Sequence, residues 1–528
     1  MKLTFPKTRR INWISGFLLL FLVVISCQCS SAGESNPPNI LFIAVDDLKP
    51  MLNCYGESQI ISPNIDKLAN KGIVFQRNYC QQAVCGPTRA SLLTGLRPDH
   101  TGVRDLKTRM RDVNPDVLSL PQYFKSNGYI TVAYGKVYDP RCVDNTYDSI
   151  SWSLPYIENN DLPLPEGIEA PMFSHYQSEE NRMQGEIYLA EAKELGLSGW
   201  EQSSYGLERF KPVVESADVP DNAYYDGIMI DEAINSLHKL ALNSKPFFLA
   251  VGLKKPHLPF VSPSRYWDLY DREEISLAPF ADHSRNGPEL AYHNSSEIRS
   301  YTGFEFINER IPEDQQREII HGYYAAVSYI DALIGKLLEN LKELGLEENT
   351  VIVLWGDHGW HLGDHSLWCK HSNFEQATRS PLIISAPGMP GGLKTNSPTE
   401  FIDVFPTLCE LTGLKIPDGL DGVSLKPLIE GQNIKVKQYA ISQFERGKST
   451  MGYTLRTERY RYTEWRGNGY LSTKKFDPEN VVARELYDYQ DDPYETINFV
   501  DDPAYKEIAD KLKNEMEAFL KSQEKVQL

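Results

Sequence analysis

From residue 39 onward, short apolar runs alternate with longer amphipathic stretches. Residues 40–45, 129–133, 247–251, 351–355 and 382–385 are short and rich in branched and aromatic side chains, the pattern of strands buried on both faces. Between most of them apolar positions recur at helical spacing, over residues 118–126, 231–242 and 317–344. Strands separated by helices predict an α/β fold with a large, mostly parallel sheet flanked by helices, filling residues 39–430. After residue 430 the pattern changes. Residues 453–465 alternate as an antiparallel strand does, 485–489 form another short run, and 502–522 read as a terminal helix, so residues 431–528 are expected to form a smaller antiparallel-sheet subdomain. Residues 144–226, rich in Tyr, Pro and Glu, follow neither period and read as an insertion that either shapes a cleft or is purely structural.

The polar residues that follow the apolar runs carry the second signal. Asp46 and Asp47 follow the first, Lys136 the second, Lys255 and His257 the third, Asp357 and His358 the fourth. Ligands of open α/β sheets bind outside the carboxyl ends of the strands, so these groups are expected to converge from distant parts of the chain. One Asp pair at a strand end is equally a solvated turn. Complementary charges at successive strand ends are harder to explain that way.

Composition narrows the choice. The chain has 528 residues, 41% hydrophobic and 24% charged, enough for a sizeable core. A formal net charge of -18 and a pI near 5.2 exclude a nucleic-acid binder with a broad basic face, so any polyanionic ligand must meet a local basic pocket. At the start, Lys2, Lys7, Arg9 and Arg10 precede an apolar run over residues 11–25, an export signal by charge and length. It closes on Val24-Ile25-Ser26-Cys27, which resembles a bacterial lipobox. Residues 1–26 would then be removed, Cys27 would carry the lipid, and residues 27–38 would be a polar tether, the only attachment to a membrane. Ordinary signal-peptidase cleavage that discards Cys27 and Cys29 is the alternative. Either route gives an exported protein, periplasmic or held at the outer membrane or cell surface. Past the leader remain Cys54, Cys80, Cys85, Cys142, Cys369 and Cys409, and if Cys85 is reserved for chemistry the odd remainder implies no paired framework.

Cys85 opens the segment Cys85-Gly86-Pro87-Thr88-Arg89, followed by Ala90-Ser91-Leu92-Leu93-Thr94-Gly95. A Cys just before a helix start meets free backbone amides and the positive end of the helix dipole, with Arg89 one turn on. This C-x-P-x-R stretch resembles the type I sulfatase signature. The same family order runs through residues 39–48 (NILFIAVDDL), 120–129 (LPQYFKSNGY), 135–138 (GKVY), 254–260 (KKPHLPF), 355–365 (WGDHGWHLGDH), 370–374 (KHSNF) and 451–462 (MGYTLRTERYRY), and among sulfatases it is most similar to the iduronate-2-sulfatase branch.

The resemblance implies an alkaline-phosphatase-like fold and conversion of Cys85 to formylglycine by a maturation enzyme. It implies one divalent cation held by Asp46, Asp47, Asp357, His358 and the modified Cys85, with hard oxygen ligands favouring Ca2+ over Mg2+ or Mn2+. Arg89, Lys136 and Lys370 would hold the sulfate and His257 would protonate the leaving alcohol, while Lys255, Trp360 and His371 would contact the sugar or support those that do. His361 and His365 read as loop structure. Thr88 replaces the usual Ser of the signature and keeps the hydroxyl. Asp139 stands where the branch carries His; it is expected to pair with Lys136 or a neighbouring cation and to disfavour a sugar carboxylate nearby. The substrate implied is a sulfated polysaccharide, glycosaminoglycan or algal such as ulvan. The alternatives are a phosphate or phosphonate monoester hydrolase of the same fold, or a non-catalytic carbohydrate-binding relative.

Overall fold

Alternation along the first strand accounts for the layered architecture. In β1 (Asn39–Val45), Leu41, Ile43 and Val45 enter one apolar core while Ile40, Phe42 and Ala44 enter another, because successive side chains point to opposite faces and both faces are covered. The computed structural model describes residues 1–4, 37–158, 161–305, 310–447, 449–467 and 477–523. The apolar leader, Cys27 and most of the tether lie outside them.

The large sheet is seven-stranded and uses β1, β2 (Ile73–Phe75), β3 (Ile130–Gly135), β4 (Phe247–Leu253), β5 (Thr350–Gly356), β6 (Leu382–Ser385) and β7 (Leu393–Thr395), in the order β7-β2-β6-β5-β1-β4-β3. The centre is parallel, β5 and β4 flanking β1 and β3 following β4. β6 runs antiparallel to both β5 and β2, which makes the sheet mixed. All five runs read from the sequence are strands of this sheet; β2 and β7, three residues each, were too short to stand out.

The Glu313–Glu343 helix lays Ile319, Ile320, Tyr323, Val327, Ile330, Ile334, Leu337 and Leu341 on one face of the sheet, at the spacing of one helix stripe. Each such side chain, fully buried, contributes roughly 1.5–3 kcal/mol. The helix also fixes the loop after β1: the Tyr323 hydroxyl accepts from Lys49 N at 2.8 Å and donates to Asp47 O at 2.9 Å. The insertion is more regular than its composition implies. It carries helices at Glu179–Glu194 and Gly199–Arg209 and a strand, Val214–Ala217, paired in parallel with Phe260–Pro263.

A second sheet is antiparallel throughout, from β8 (Ala440–Arg446) through β9 (Thr450–Arg456) and β10 (Tyr460–Arg466) to β11 (Val481–Asp488). The alternation read as one strand over residues 453–465 is a hairpin; Thr457 N and the Tyr460 carbonyl close the turn at 2.8 Å, and period-2 patterning runs unbroken through so short a connection. The Lys506–Gln523 helix covers one face with Leu512, Met516, Phe519 and Leu520. The other side grips residues 373–375: Asn373 Nδ2 donates to Gly452 O at 3.0 Å, Arg461 to the Asn373 carbonyl, and Arg456 Nε to Glu375 at 2.9 Å.

Candidate active site

Cys85 begins a helix, Cys85–Thr94, every residue of which is buried. Val84 before it is extended, and Pro87 lies in the first turn, where a missing N–H costs nothing. Gly86 is required by space: a Cβ there would lie 2.4 Å from Cys142 Sγ. Gly95, at φ 68°, ends the helix in the left-handed region. Burial and the nearby Asp46 push the Cys85 thiol well above the ordinary cysteine range, outweighing Lys136 and Lys370.

The strand ends converge around Cys85 as their positions required. The ligand atoms of Asp46, Asp47, Cys85 and His257 all lie within 4.8 Å of one another, as do those of Cys85, Asp357 and His358. Asp47 sits at φ 61°, uncommon for a side chain of this type; its N–H donates to Asp357 Oδ1 at 3.0 Å and its carbonyl accepts from the Tyr323 hydroxyl at 2.9 Å. Burial, with Asp46, Glu297 and Asp357 close by, raises Asp47 well above the carboxylate range despite Lys370. Burial acts on Asp46 too, but Lys136 and Arg89 outweigh it and hold that carboxyl well below.

His358 tests whether the pocket fits a cation. Its Nδ1 lies 3.0 Å from the Gly359 carbonyl, which can only accept, so Nδ1 carries the proton. Burial lowers its pKa and keeps the ring neutral, and Nε2 then points a lone pair at Asp47 Oδ1 (3.3 Å), Asp357 Oδ1 (3.6 Å) and Cys85 Sγ (3.4 Å). Lone pairs gathered at such distances fit a shared metal ion.

Cations surround this centre. Lys136 Nζ lies 2.5 Å from Asp46 Oδ2, and Lys370 Nζ lies 3.1 Å from both Asp47 oxygens and 3.0 Å from Glu297 Oε1. His257 donates from Nδ1 to the Leu258 carbonyl at 2.8 Å and turns Nε2 towards Glu297 Oε1 at 3.3 Å. Burial and Lys370 push His257 well below the ordinary histidine range, against Asp46 and Glu297. Glu297 escaped the sequence reading, because the loop around it lacks a flanking strand or a motif. Burial raises its pKa, but Lys370 and His257 outweigh it and hold it at about 2.

Several expected contacts take a different form. Arg89 is fully buried and faces the carboxylates: Nε donates to Asp357 Oδ2 and Nη2 to Asp46 Oδ1, each at 3.0 Å, and Nη1 to the carbonyls of Lys136 and Val137. It braces the acidic residues from a fully buried position. Trp360 is buried behind Lys370, whose Nζ stands 4.8 Å from the ring centroid, and so supports that lysine without facing the pocket. Lys255 turns inward to the carbonyls of His257 and Pro259, at 2.6 and 2.5 Å, and thereby shapes the His257 turn. His371 remains partly exposed, 4.0 Å from Glu297 Oε2. His361 bonds Ser372 Oγ at 2.8 Å, and His365 stacks on Phe374. Asp139 is buried, and its carboxylate is clamped by Arg141, Nε to Oδ1 at 2.9 Å and Nη2 to Oδ2 at 2.7 Å, with Lys136 Nζ at 3.9 Å. The charge expected to repel a sugar carboxylate is therefore matched by a guanidinium that the sequence reading did not single out.

Comparison with known proteins agrees with this geometry. The family model described as Sulfatase matches residues 38–414, and one described as N-sulphoglucosamine sulphohydrolase, C-terminal, matches residues 363–522. Mouse (Mus musculus) iduronate 2-sulfatase is 33% identical over 565 residues, covering 93% of this chain and 96% of that protein. A sulfatase of Formosa agariphila is 30% identical over 508 residues, covering 94% and 90% respectively. A phosphonate monoester hydrolase of Agrobacterium radiobacter, 22% identical, superposes with a TM-score of 0.70 over 92% of this chain and 96% of that one, which shows the alkaline-phosphatase-like fold. A match of such length, over a pocket that gathers cations around an acidic centre, shows that the chain belongs to the sulfatase family and is a sulfuric ester hydrolase.

Proposed function

We propose that the protein hydrolyses sulfate esters of a sulfated polysaccharide or its oligosaccharides, with residue 85 acting as formylglycine and a calcium ion held by Asp46, Asp47, Asp357 and His358. The observation that carries this reading is Cys85 itself. It stands at a buried helix start among Asp46, Asp47 and His358, with a thiol pKa pushed up, so an unmodified cysteine here would be a poor thiolate nucleophile. Formylglycine removes that difficulty: its hydrate supplies one hydroxyl to attack sulfur and a second whose deprotonation later expels sulfate and restores the aldehyde. A divalent cation bound by these residues supplies Lewis acidity and offsets the sulfate charge.

The other side chains have separable tasks. Lys136 and Lys370 reach the acidic centre from opposite partners, Asp46 and Asp47, and would turn to the sulfate oxygens once a cation satisfies those carboxylates. As the bond from sulfur to the sugar oxygen breaks, His257, its Nε2 turned towards Glu297 Oε1 at 3.3 Å, is the residue placed to deliver a proton to that oxygen. Glu297 Oε1, 3.3 Å from Nε2, accepts from the ring in its protonated form and offsets its charge. Similarity to enzymes named for iduronate 2-sulfate supports an acidic sulfated sugar as substrate. The basic and apolar leader ending at Cys27 supports export and a lipid anchor, and among the described residues no helix is long and apolar enough to cross a membrane.

The test is peptide mass spectrometry of the segment around Cys85 together with turnover of nitrophenyl sulfate. Active enzyme should carry an aldehyde in place of the thiol, and Cys85→Ala should abolish turnover while leaving thermal unfolding unchanged. Full activity with only unmodified cysteine would falsify the mechanism, and a preference for nitrophenyl phosphate would move the enzyme to phosphate esters.

A further inference from the structure

We propose that Arg141, clamped by Asp139, is an anchor for a second oxyanion on the substrate, a sugar carboxylate or a second sulfate, beside the scissile sulfate ester. The inference rests on the sulfated-carbohydrate reading and deepens it. Four observations support it. The guanidinium side chain is 51% exposed, whereas the Asp139 carboxylate beneath it is fully buried. It stands beside the pocket: Cys142, the next residue, packs its Sγ into the space above Gly86, which directly follows Cys85. The row continues inward, since Asp139 Oδ2 lies 2.7 Å from Arg141 Nη2 and 3.9 Å from Lys136 Nζ, and that ammonium lies 2.5 Å from Asp46. Finally, the two bonds to Asp139 use Nε–H and one Nη2 hydrogen, so the rest of the five-donor fork makes no hydrogen bond among the described residues.

A purely structural account covers only part of this. Asp139 caps the Pro140–Cys142 turn by accepting from the Arg141 backbone N–H at 3.0 Å, a role that needs no guanidinium. A surface arginine left to itself samples many rotamers. Fixing it bidentately on a buried carboxylate removes that freedom before a ligand arrives, which is how a planar, oriented donor is readied for a carboxylate or sulfate. The setting also calls for such a device. A protein of net charge -18 that takes an acidic sugar must supply local positive charge, and Lys136 and Lys370 are already engaged at the centre.

The experiment compares matured wild type, Arg141→Gln and Arg141→Lys on two substrate pairs: a sulfated hexuronate disaccharide against its carboxyl-reduced form, and a monosulfated against a disulfated neutral disaccharide, with nitrophenyl sulfate as control. Wild type should prefer the more anionic member of one pair. Arg141→Gln should lower that preference in kcat/KM by roughly 10- to 100-fold, mainly through KM, with Arg141→Lys between. The pair that responds identifies the oxyanion as carboxylate or second sulfate. Thermal unfolding of the variants checks that the fold persists, and because a ratio is read, a general loss of activity cancels. Wild type without preference in either pair, or ratios unchanged by Arg141→Gln, overturns the proposal while the sulfatase reading stands. Failure of wild type to turn over nitrophenyl sulfate or any sulfated sugar would overturn that reading, and this one with it.

Discussion

Replacing Arg89 separates two roles, binding of the sulfate and bracing of the buried carboxylates proposed to hold the cation. The guanidinium is fully buried and joins Asp46 and Asp357 at 3.0 Å each while donating to the carbonyls of Lys136 and Val137. Arg89→Ala leaves two buried carboxylates short of a partner, although Asp46 keeps Lys136 at 2.5 Å and Asp357 keeps the Asp47 N–H at 3.0 Å. Removing one member of a buried ion pair costs about 3–5 kcal/mol, and that range is expected here. Arg89→Lys keeps the charge but one ammonium cannot span both carboxylates, so a loss of about 1–3 kcal/mol is expected. Misaligned carboxylates should also weaken calcium binding by roughly 10- to 100-fold. Urea unfolding in chelator measures the first effect, without metal stabilisation, and calcium titration of activity measures the second. The reasoning fails if Arg89→Ala unfolds within about 1 kcal/mol of wild type in chelator. It also fails if Arg89→Lys binds calcium normally but shows a raised KM, since Arg89 would then serve the sulfate.

Three further outcomes follow from the same geometry. Asp47→Asn, which replaces a carboxylate oxygen of the centre by an amide NH2 where His358 Nε2 lies 3.3 Å away, should raise the calcium concentration needed for half-maximal activity by at least about tenfold; an unchanged calcium curve would remove Asp47 from the ligand set. Glu297→Gln should lower kcat/KM by about tenfold or more through loss of the carboxylate that faces His257 at 3.3 Å and Lys370 at 3.0 Å, and a variant with wild-type kinetics and pH profile would assign Glu297 to structure alone. Buried Glu375 is paired with Arg456, which outweighs burial and lowers its pKa from 4.5 to about 2. Because the folded value lies below the unfolded one, the pair's stabilisation is complete above about pH 4.5 and lost as pH falls towards 2. The drop corresponds to about 3 kcal/mol, so Glu375→Gln should flatten that part of the acid limb of stability against pH, and an unaltered limb would contradict the assignment.

What the sequence determined by itself was whatever is local or periodic. Strands buried on both faces read as unbroken apolar runs, and the long Glu313–Glu343 helix as a stripe, because burial selects side chains at the period of each element. The signature at Cys85 and the charged residues after β1, β3, β4 and β5 were legible for the same reason: they occupy positions next to such elements. Period could not reveal direction or pairing, so the antiparallel β6 and the hairpin over β9 and β10 had to come from the structure. Nor could it decide what a polar side chain faces. Arg89 and Trp360 belong to the motifs but point into the protein, whereas Glu297 and Arg141, outside any quoted motif, stand at the pocket and beside it. Side-chain direction there depends on which distant segment supplies the opposite charge, Asp46 and Asp357 for Arg89 or Lys370 for Glu297, and buried charges are stable only where the tertiary fold brings such partners within hydrogen-bond reach.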